Sequence, residues 1–483
     1  MNLPLLLGDI RATDLVVVPL IAALACALLP LRGLARAIAV LSGVLGIALS
    51  LALAAGAAPA GGLRGEEQIA WAPALGISYH VGADGFGVAL LALGSLLFSV
   101  GAVSSGSARG RGYFALWCAL QAAVSGVFVA QDLLLFFVFW EAMLLPLALL
   151  LWQWGGEDRR SATLRFVLYT MAGSALLLAG ILALGIGAAT FDIVTLRAHR
   201  LGAATQTGLA VLFLAAFVVK LPLFPFHAWL ARAYVAAPLP VALVLSGIVA
   251  KTAAYGIIRL CLGLFPLGME TLAPGLVALA AIGTLYAALL ATRQDDTRRL
   301  IAYSSLSHLN LIGLGIFAGS AAGAQGALVA SVSHGLIVAV LFLLAGMLAT
   351  RTGGWDLGRS GGLAGSAPVL AACFTLAVVA TIGVPGTSGF AGEFLVLAAT
   401  YARYPAAAAL ATLVVIVAAV YGLGLLRRAF TGVPGGAVPD LGPRERALVL
   451  PLLALILVLG IAPRVVSDLV PGGNAPVHAA DLR

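Results

Sequence analysis

Fourteen long apolar runs follow one another along the 483 residues, and nothing else in the chain limits its fold so severely. They fall at roughly 14–32, 34–56, 84–106, 113–130, 132–154, 163–188, 206–233, 239–263, 272–293, 299–318, 325–350, 367–402, 405–430 and 445–463. Runs of about 18–25 residues are long enough to cross a bilayer as helices. The chain is 62% hydrophobic and only 10% charged, with a mean hydropathy of +1.10, a balance foreign to soluble globular domains. The expected fold is an all-α polytopic membrane protein with about 14 transmembrane helices.

Helices 7 and 12 are the longest, and each is broken by proline: Pro222 and Pro225 in the first, Pro385 in the second. A proline inside a helix removes a backbone bond, and at membrane depth such breaks are tolerated where they are buried or line a polar cavity. Arginine counting predicts orientation. Loops after the odd-numbered helices collect 17 arginines and the other side 8, so the first side is cytoplasmic and both termini are expected on the periplasmic side. A faint internal repeat is also visible: Tyr255-Gly256 is echoed by Tyr421-Gly422, 166 residues later, and Glu141 and His308 are 167 apart. Five helices separate the copies, which predicts two inverted five-helix repeats, with sites at the bilayer midplane. The expected organisation is an N-terminal three-helix segment (1–112), a first repeat (113–263), a second, inverted repeat (272–430) and a C-terminal helix and tail (431–483).

The net charge of +8 is not read as a nucleic-acid signal, because the arginines are spread over many short loops without a basic stripe. Cys26, Cys118, Cys261 and Cys373 show no paired or Cys/His spacing, so no zinc or iron–sulfur site is expected on this chain. The N-terminal stretch lacks a basic region and a small-residue cleavage site, and no cleaved signal peptide is expected.

Only two lysines occur, Lys220 and Lys251, and both lie in mid-membrane sequence. Glu141, His308, His334 and Glu393 also fall near the middle of predicted spans, one ionisable residue on each of helices 5, 7, 8, 10, 11 and 12. A charge at mid-bilayer costs roughly 2.5–3.5 kcal/mol on insertion scales, so such residues mark partner charges, cavities or ion paths. Lysine changes protonation readily on burial whereas arginine stays charged, and histidine titrates near neutrality. A Lys–Lys–His–Glu row bridged by water would pass protons. The competing bland reading is interhelical hydrogen bonding, strongest for His334 and for His308 beside Ser304, Ser305 and Ser307.

Lys220-Leu-Pro222-Leu-Phe-Pro225-Phe-His227-Ala-Trp229, Leu245-Ser-Gly-Ile-Val-Ala-Lys251 and Asp296-Thr-Arg298-Arg-Leu-Ile-Ala-Tyr303-Ser-Ser-Leu-Ser-His308 together resemble the antiporter-like membrane subunits of respiratory complex I. The resemblance covers about residues 80–430. Gly383-Val-Pro385-Gly-Thr-Ser-Gly389-Phe-Ala-Gly-Glu393 is similar to subunit M, where subunits L and N carry Lys in place of Glu393. No long lateral helix is expected after helix 14. The resemblance implies that Glu141 and Lys220 form a charge pair, Lys251 a central relay, His308 and His334 a bridge, and Glu393 the terminal exchanger. It also implies FMN, iron–sulfur clusters and quinone in partner subunits, with none held by this chain, and L- and N-like paralogues as neighbours in a bacterial inner membrane. Two departures stand out. Arg232, Tyr234 and Ala236 replace the family's Asp, His and Glu, and Asn310 stands where Gly is common.

The function so implied is proton translocation driven by redox chemistry in partner subunits of an NADH:quinone oxidoreductase. The alternatives are the equivalent subunit of a membrane-bound hydrogenase-type complex, a multisubunit cation/proton antiporter, or a structural spacer that has lost transport.

Overall fold

The computed structural model describes residues 10–29, 33–56, 62–106, 109–356, 361–432 and 437–470. Arg32, Arg359 and Arg483, counted above for orientation, lie outside these residues, as do the N-terminal stretch and the tail beyond 470. In chain order the elements are α1 (Asp14–Leu28), α2 (Ala35–Ala55), β1 (Arg64–Ala72), β2 (Ile77–Ala83), α3 (Gly85–Ser104), α4 (Arg111–Val129), α5 (Leu133–Ala142) and α6 (Leu144–Trp154). There follow α7 (Arg159–Ala188), α8 (Ile193–Arg197), α9 (Ala203–Lys220), α10 (Leu230–Ala236), α11 (Leu239–Leu262), α12 (Pro266–Ala291) and α13 (Thr297–Phe317). The rest are α14 (Ala321–Thr352), α15 (Pro368–Ile382), α16 (Ser388–Arg403), α17 (Pro405–Phe430), α18 (Pro443–Ile461) and α19 (Arg464–Ser467).

Among the described residues, 11 helices are long and apolar enough to cross a membrane, with α1 and α15 as shorter apolar helices. The protein is a polytopic, mostly helical membrane protein. Both expected breaks are present: α9 ends at Lys220 and α10 starts at Leu230, and α15 ends at Ile382 with α16 starting at Ser388. Two irregularities were not expected. The fifth apolar run is interrupted at Met143, between α5 and α6. Within α11, the segments Leu245–Val249 and Ile257–Leu262 have wider π turns.

The all-α expectation is corrected at one place. β1 and β2 form an antiparallel hairpin. The cause is local: residues 64–83 carry Arg64, Glu66, Glu67 and His80, too polar to span lipid, and Gly76 supplies the left-handed turn at φ 70°. The hairpin is held to neighbouring loops rather than buried in the bundle. His80 is 3% exposed and lies 2.5 Å from Asp192 and 2.9 Å from Glu66. The Gln131 side chain donates to the Gly82 carbonyl and the Ser78 N–H to Asp132.

The chain forms two compact units: Met1–Lys220, Ile248–Leu272 and Leu469–Arg483 in the first, Leu221–Gly247 and Ala273–Asp468 in the second. One local arrangement occurs once in each. Asp132 caps α5 through the N–H groups of Leu134 and Leu135, and Leu133 N–H donates to the Phe191 carbonyl at 2.8 Å. Asp296 caps α13 through Arg298 and Arg299, and Thr297 N–H donates to the Trp355 carbonyl at 2.9 Å. Both partners are displaced by 164 positions, from 133 to 297 and from 191 to 355.

Burial lowers the proton affinity of His80, but its hydrogen bonds to the Asp192 and Glu66 carboxylates more than offset it, and its pKa lies above the usual 6.5. Burial raises Asp192, yet its bonds to His80 and Thr195 bring it below 3.8. A raised histidine stabilises the fold below its unfolded pKa and loses that contribution as pH rises through the folded value; a lowered aspartate does the reverse. The hairpin clamp is therefore strongest between about pH 4 and 6.5. His80→Gln should cost on the order of 2 kcal/mol there, and the difference in thermal stability from the parent should shrink toward alkaline pH.

Candidate functional site

Both helix breaks put charge beside opened backbone. Lys220 is the last residue of α9 and 3% exposed. A cation in the last turn faces that helix's free carbonyls and the negative end of its dipole. Its ammonium lies 3.7 Å from the centroid of the Trp140 ring on α5, and the Trp140 indole N–H donates to Ser174 at 3.0 Å, which fixes the ring. A desolvated contact of this kind contributes about 2 kcal/mol. Glu141, the next residue, is half-buried and is the carboxylate whose charge acts on Lys220. No direct Glu141–Lys220 ion pair is formed among the described residues; the aromatic face takes that place. Lys251 is fully buried in α11, on the segment between the two π turns. Wide turns of this sort are common at functional sites. That segment packs on α9, where Gly256 admits the Phe217 ring: a Cβ there would lie 2.5 Å from it.

The second unit holds the other three ionisable residues, and it brings them together. His308 Nδ1–H donates to the Ser304 carbonyl at 2.7 Å, one turn back on α13. Its Nε2 lies 3.1 Å from Glu393 Oε1 and 3.2 Å from the Thr381 carbonyl. The His334 ring is 5.7 Å from the His308 ring. Since Nδ1 is committed to a carbonyl, the Nε2–Glu393 contact holds a proton in one of two ways: imidazolium donating to carboxylate, or carboxylic acid donating to imidazole. Those two states differ by one short proton transfer.

The break after α15 makes this contact possible. Gly383 has φ 77°, and a Cβ there would lie 2.4 Å from Glu393 Oε2. Gly392 lets α16 close on α14, where a Cβ would meet Ala330 at 2.6 Å. His308, His334, Glu393, Ser304, Ser305 and Ser333 help to line a cavity of about 20 Å³ measured at water centres. One water needs about 10–15 Å³ and two to four polar partners, so the cavity suits water.

Asn310, a departure noted in the sequence, serves the first break. Its side-chain oxygen accepts from Phe224 N–H at 3.1 Å, and its amide donates to the Leu306 and Pro222 carbonyls at 2.8 and 3.4 Å. It thus satisfies backbone groups that the proline-broken stretch leaves open. Sequence reasoning missed this role, and also Trp140, whose position one residue before Glu141 was the available signal. Pro222 and Pro225 lie in the 221–229 break and Pro385 in the 383–387 break.

The family described as "NADH:quinone oxidoreductase/Mrp antiporter, TM" matches residues 130–419. The chain belongs to this family. It is 37% identical over 456 residues to NADH-quinone oxidoreductase subunit M of Rhodobacter capsulatus, covering 90% of this chain and 89% of that one. It is 35% identical to subunit M of Escherichia coli (strain K12), covering 84% and 83%. A chain of respiratory complex I from Thermus thermophilus with bound NADH superposes with a TM-score of 0.91 at 34% identity, covering 98% of this chain and all of that one. A chain of the Mrp complex from Dietzia sp. DQ12-45-1b gives 0.87 at 25% identity, covering 97% of each.

Replacing Asn310 by Leu leaves the Phe224 N–H and the Pro222 carbonyl without a partner. The expected loss is about 1–3 kcal/mol, read as a lower melting temperature of the purified protein. Gly383→Ala should displace the Glu393 carboxylate from His308 and cut proton transport with little change in membrane insertion.

Proposed function

We propose that this chain is the subunit M-type, proton-translocating membrane subunit of a bacterial NADH:quinone oxidoreductase. The observation that carries the reading is the His308–Glu393 contact, placed at a helix break and opening on a water-sized cavity. It supports a group that exchanges one proton between an imidazole and a carboxylate at membrane depth. In the first unit, Lys220 and Lys251 are buried amines, with Glu141 as the charge acting on Lys220. Moving that carboxylate toward or away from Lys220 would change how readily the lysine holds its proton. The proposed sequence of carriers is Glu141–Lys220, Lys251, His308 with His334, then Glu393.

Electron transfer belongs to partner subunits in this reading, which hold FMN, iron–sulfur clusters and quinone; this chain contributes protonatable side chains. Its neighbours are the other membrane subunits, including L- and N-like paralogues, in the inner membrane, with both termini periplasmic. Fourteen spans and two inverted five-helix repeats remain the preferred architecture. The recurrence of the capped Asp132 and Asp296 arrangements supports the repeat, with 113–263 and 272–430 as its copies. The rival within the same family is a subunit of an Mrp-type antiporter. Affinity purification separates the two: co-purifying flavin and iron–sulfur NADH dehydrogenase subunits support the first, small antiporter subunits the second.

In the assembled complex, Lys220→Ala and Glu393→Gln should each lower coupled turnover by about a hundredfold, at the lower end for a proton-transfer group. NADH-driven proton uptake by membrane vesicles reads this out, and normal pumping in an assembled Lys220→Ala complex would sink the mechanism.

A further inference from the structure

Two enclosed hydroxyls beside the His308–Glu393 cavity have no part in the carriers named so far. Tyr234, on α10, is 0% exposed, and its Oη makes no hydrogen bond to protein. Ser305, three residues before His308 on α13, is 1% exposed; its Oγ also lacks a protein hydrogen bond, and it lines the cavity. The two hydroxyls face each other closely enough to interact, without reaching direct hydrogen-bond geometry.

A buried polar group left unsatisfied costs about 1–3 kcal/mol. Packing alone does not require that cost twice in one place, since Phe and Ala would fill nearly the same space. The Tyr234 ring already packs on Phe342 at 6.2 Å, a contact that Phe would keep. Water reconciles the two groups, because a water beside Ser305 gains the hydroxyls and the cavity's polar groups as partners. Beside Tyr234 on α10, Val235 ties the helix to a partly exposed side chain. The Val235 carbonyl accepts from Arg298, whose side chain is 26% exposed. Arg298 and Ser305 are two turns apart on α13, about 10 Å along the axis.

We propose that Tyr234 and Ser305 form a hydroxyl relay carrying protons between the His308–Glu393 cavity and the Arg298 end of α13. The inference rests on the proton-carrying reading of that cavity. In one passage, imidazolium at His308 gives its Nε2 proton to a cavity water, and that water passes a proton to Ser305 Oγ. Ser305 releases its own to the water facing Tyr234, and Tyr234 takes one proton as it gives its own to water at the Arg298 end. Each O–H bond formed is matched by one broken, and both hydroxyls finish neutral. The Arg298 guanidinium stays charged throughout and acts by holding the Val235 carbonyl, and with it α10, in place.

The test uses the intact complex in native membrane vesicles, with assembly checked, and follows NADH-driven proton uptake in H2O and D2O. Tyr234→Phe removes one oxygen and should lower uptake by about tenfold, below the range for a dedicated acid–base group because water can partly substitute. Tyr234→His, which can also accept and pass a proton, should recover most of the loss. Normal uptake in Tyr234→Phe overturns the relay. Equal loss in the Phe and His variants, with the parent's solvent isotope effect, assigns the Tyr234 hydroxyl a structural role and overturns the relay too. Glu393→Gln is measured in parallel. If it pumps normally, the reading of the cavity fails; if it is impaired while Tyr234→Phe is normal, only the relay fails.

Discussion

A helix opened at membrane depth exposes N–H and carbonyl groups where no bulk water can reach them, and each must find a partner inside the protein. This constraint organises both breaks. At the first break Asn310 supplies an acceptor and a donor to residues 222–224 from a different helix. At the second, Gly383 turns the chain with a positive φ and leaves room for a carboxylate. The same openings admit charge. Lys220 ends one half-helix, where free carbonyls favour a cation, and Glu393 lies in the second turn of another, toward its positive end. Backbone disruption and buried charge thus relieve one another, which is why they occur together.

The carboxylate of Glu393 and the imidazole of His308 complement each other in a way two cations could not. Nδ1 of His308 is held by the Ser304 carbonyl, so only Nε2 is free to exchange, and it meets both Glu393 and the Thr381 carbonyl. The Ser304 carbonyl, through Nδ1–H, keeps the ring in place whichever partner holds the Nε2 proton. Reorientation therefore adds little to the transfer, the advantage a preorganised site has over water.

Much of this was legible in the sequence, because some signals are long and others are conspicuous by isolation. Apolar runs of twenty residues announce helices, Pro222 with Pro225 and Pro385 mark the two breaks, and six ionisable residues stand out against an apolar background. What stayed hidden depends on contacts between residues far apart in the chain. Asn310 reads as a mild polar substitution until it is seen 3.1 Å from Phe224, 86 positions away. Trp140 reads as one more apolar residue until the Lys220 ammonium is found on its face. Likewise the 64–83 hairpin was lost because a single pair of strands stands alone in a chain that is otherwise overwhelmingly helical. The Glu141–Lys220 charge pair implied by the resemblance names the carboxylate that acts on Lys220, but neither the resemblance nor the charges reveal the aromatic ring that stands closer.

The division between the two cationic side chains follows from their chemistry. Arginine keeps its charge under nearly all conditions and binds carboxylates with a rigid fork. Here it builds permanent ties: Arg351 grips Glu445 at 2.6 and 2.9 Å, Arg428 meets Asp295 at 2.9 Å, and Arg259 meets Asp84 at 3.0 Å. Lysine yields its proton when water is withdrawn, and this chain places both of its lysines at buried positions and none in the loops. A chain selected only for stability would have no reason to separate them so completely, since either cation serves on a loop. Under the proposed proton relay, selection for a proton that can leave gives that reason, for a buried arginine would hold its proton.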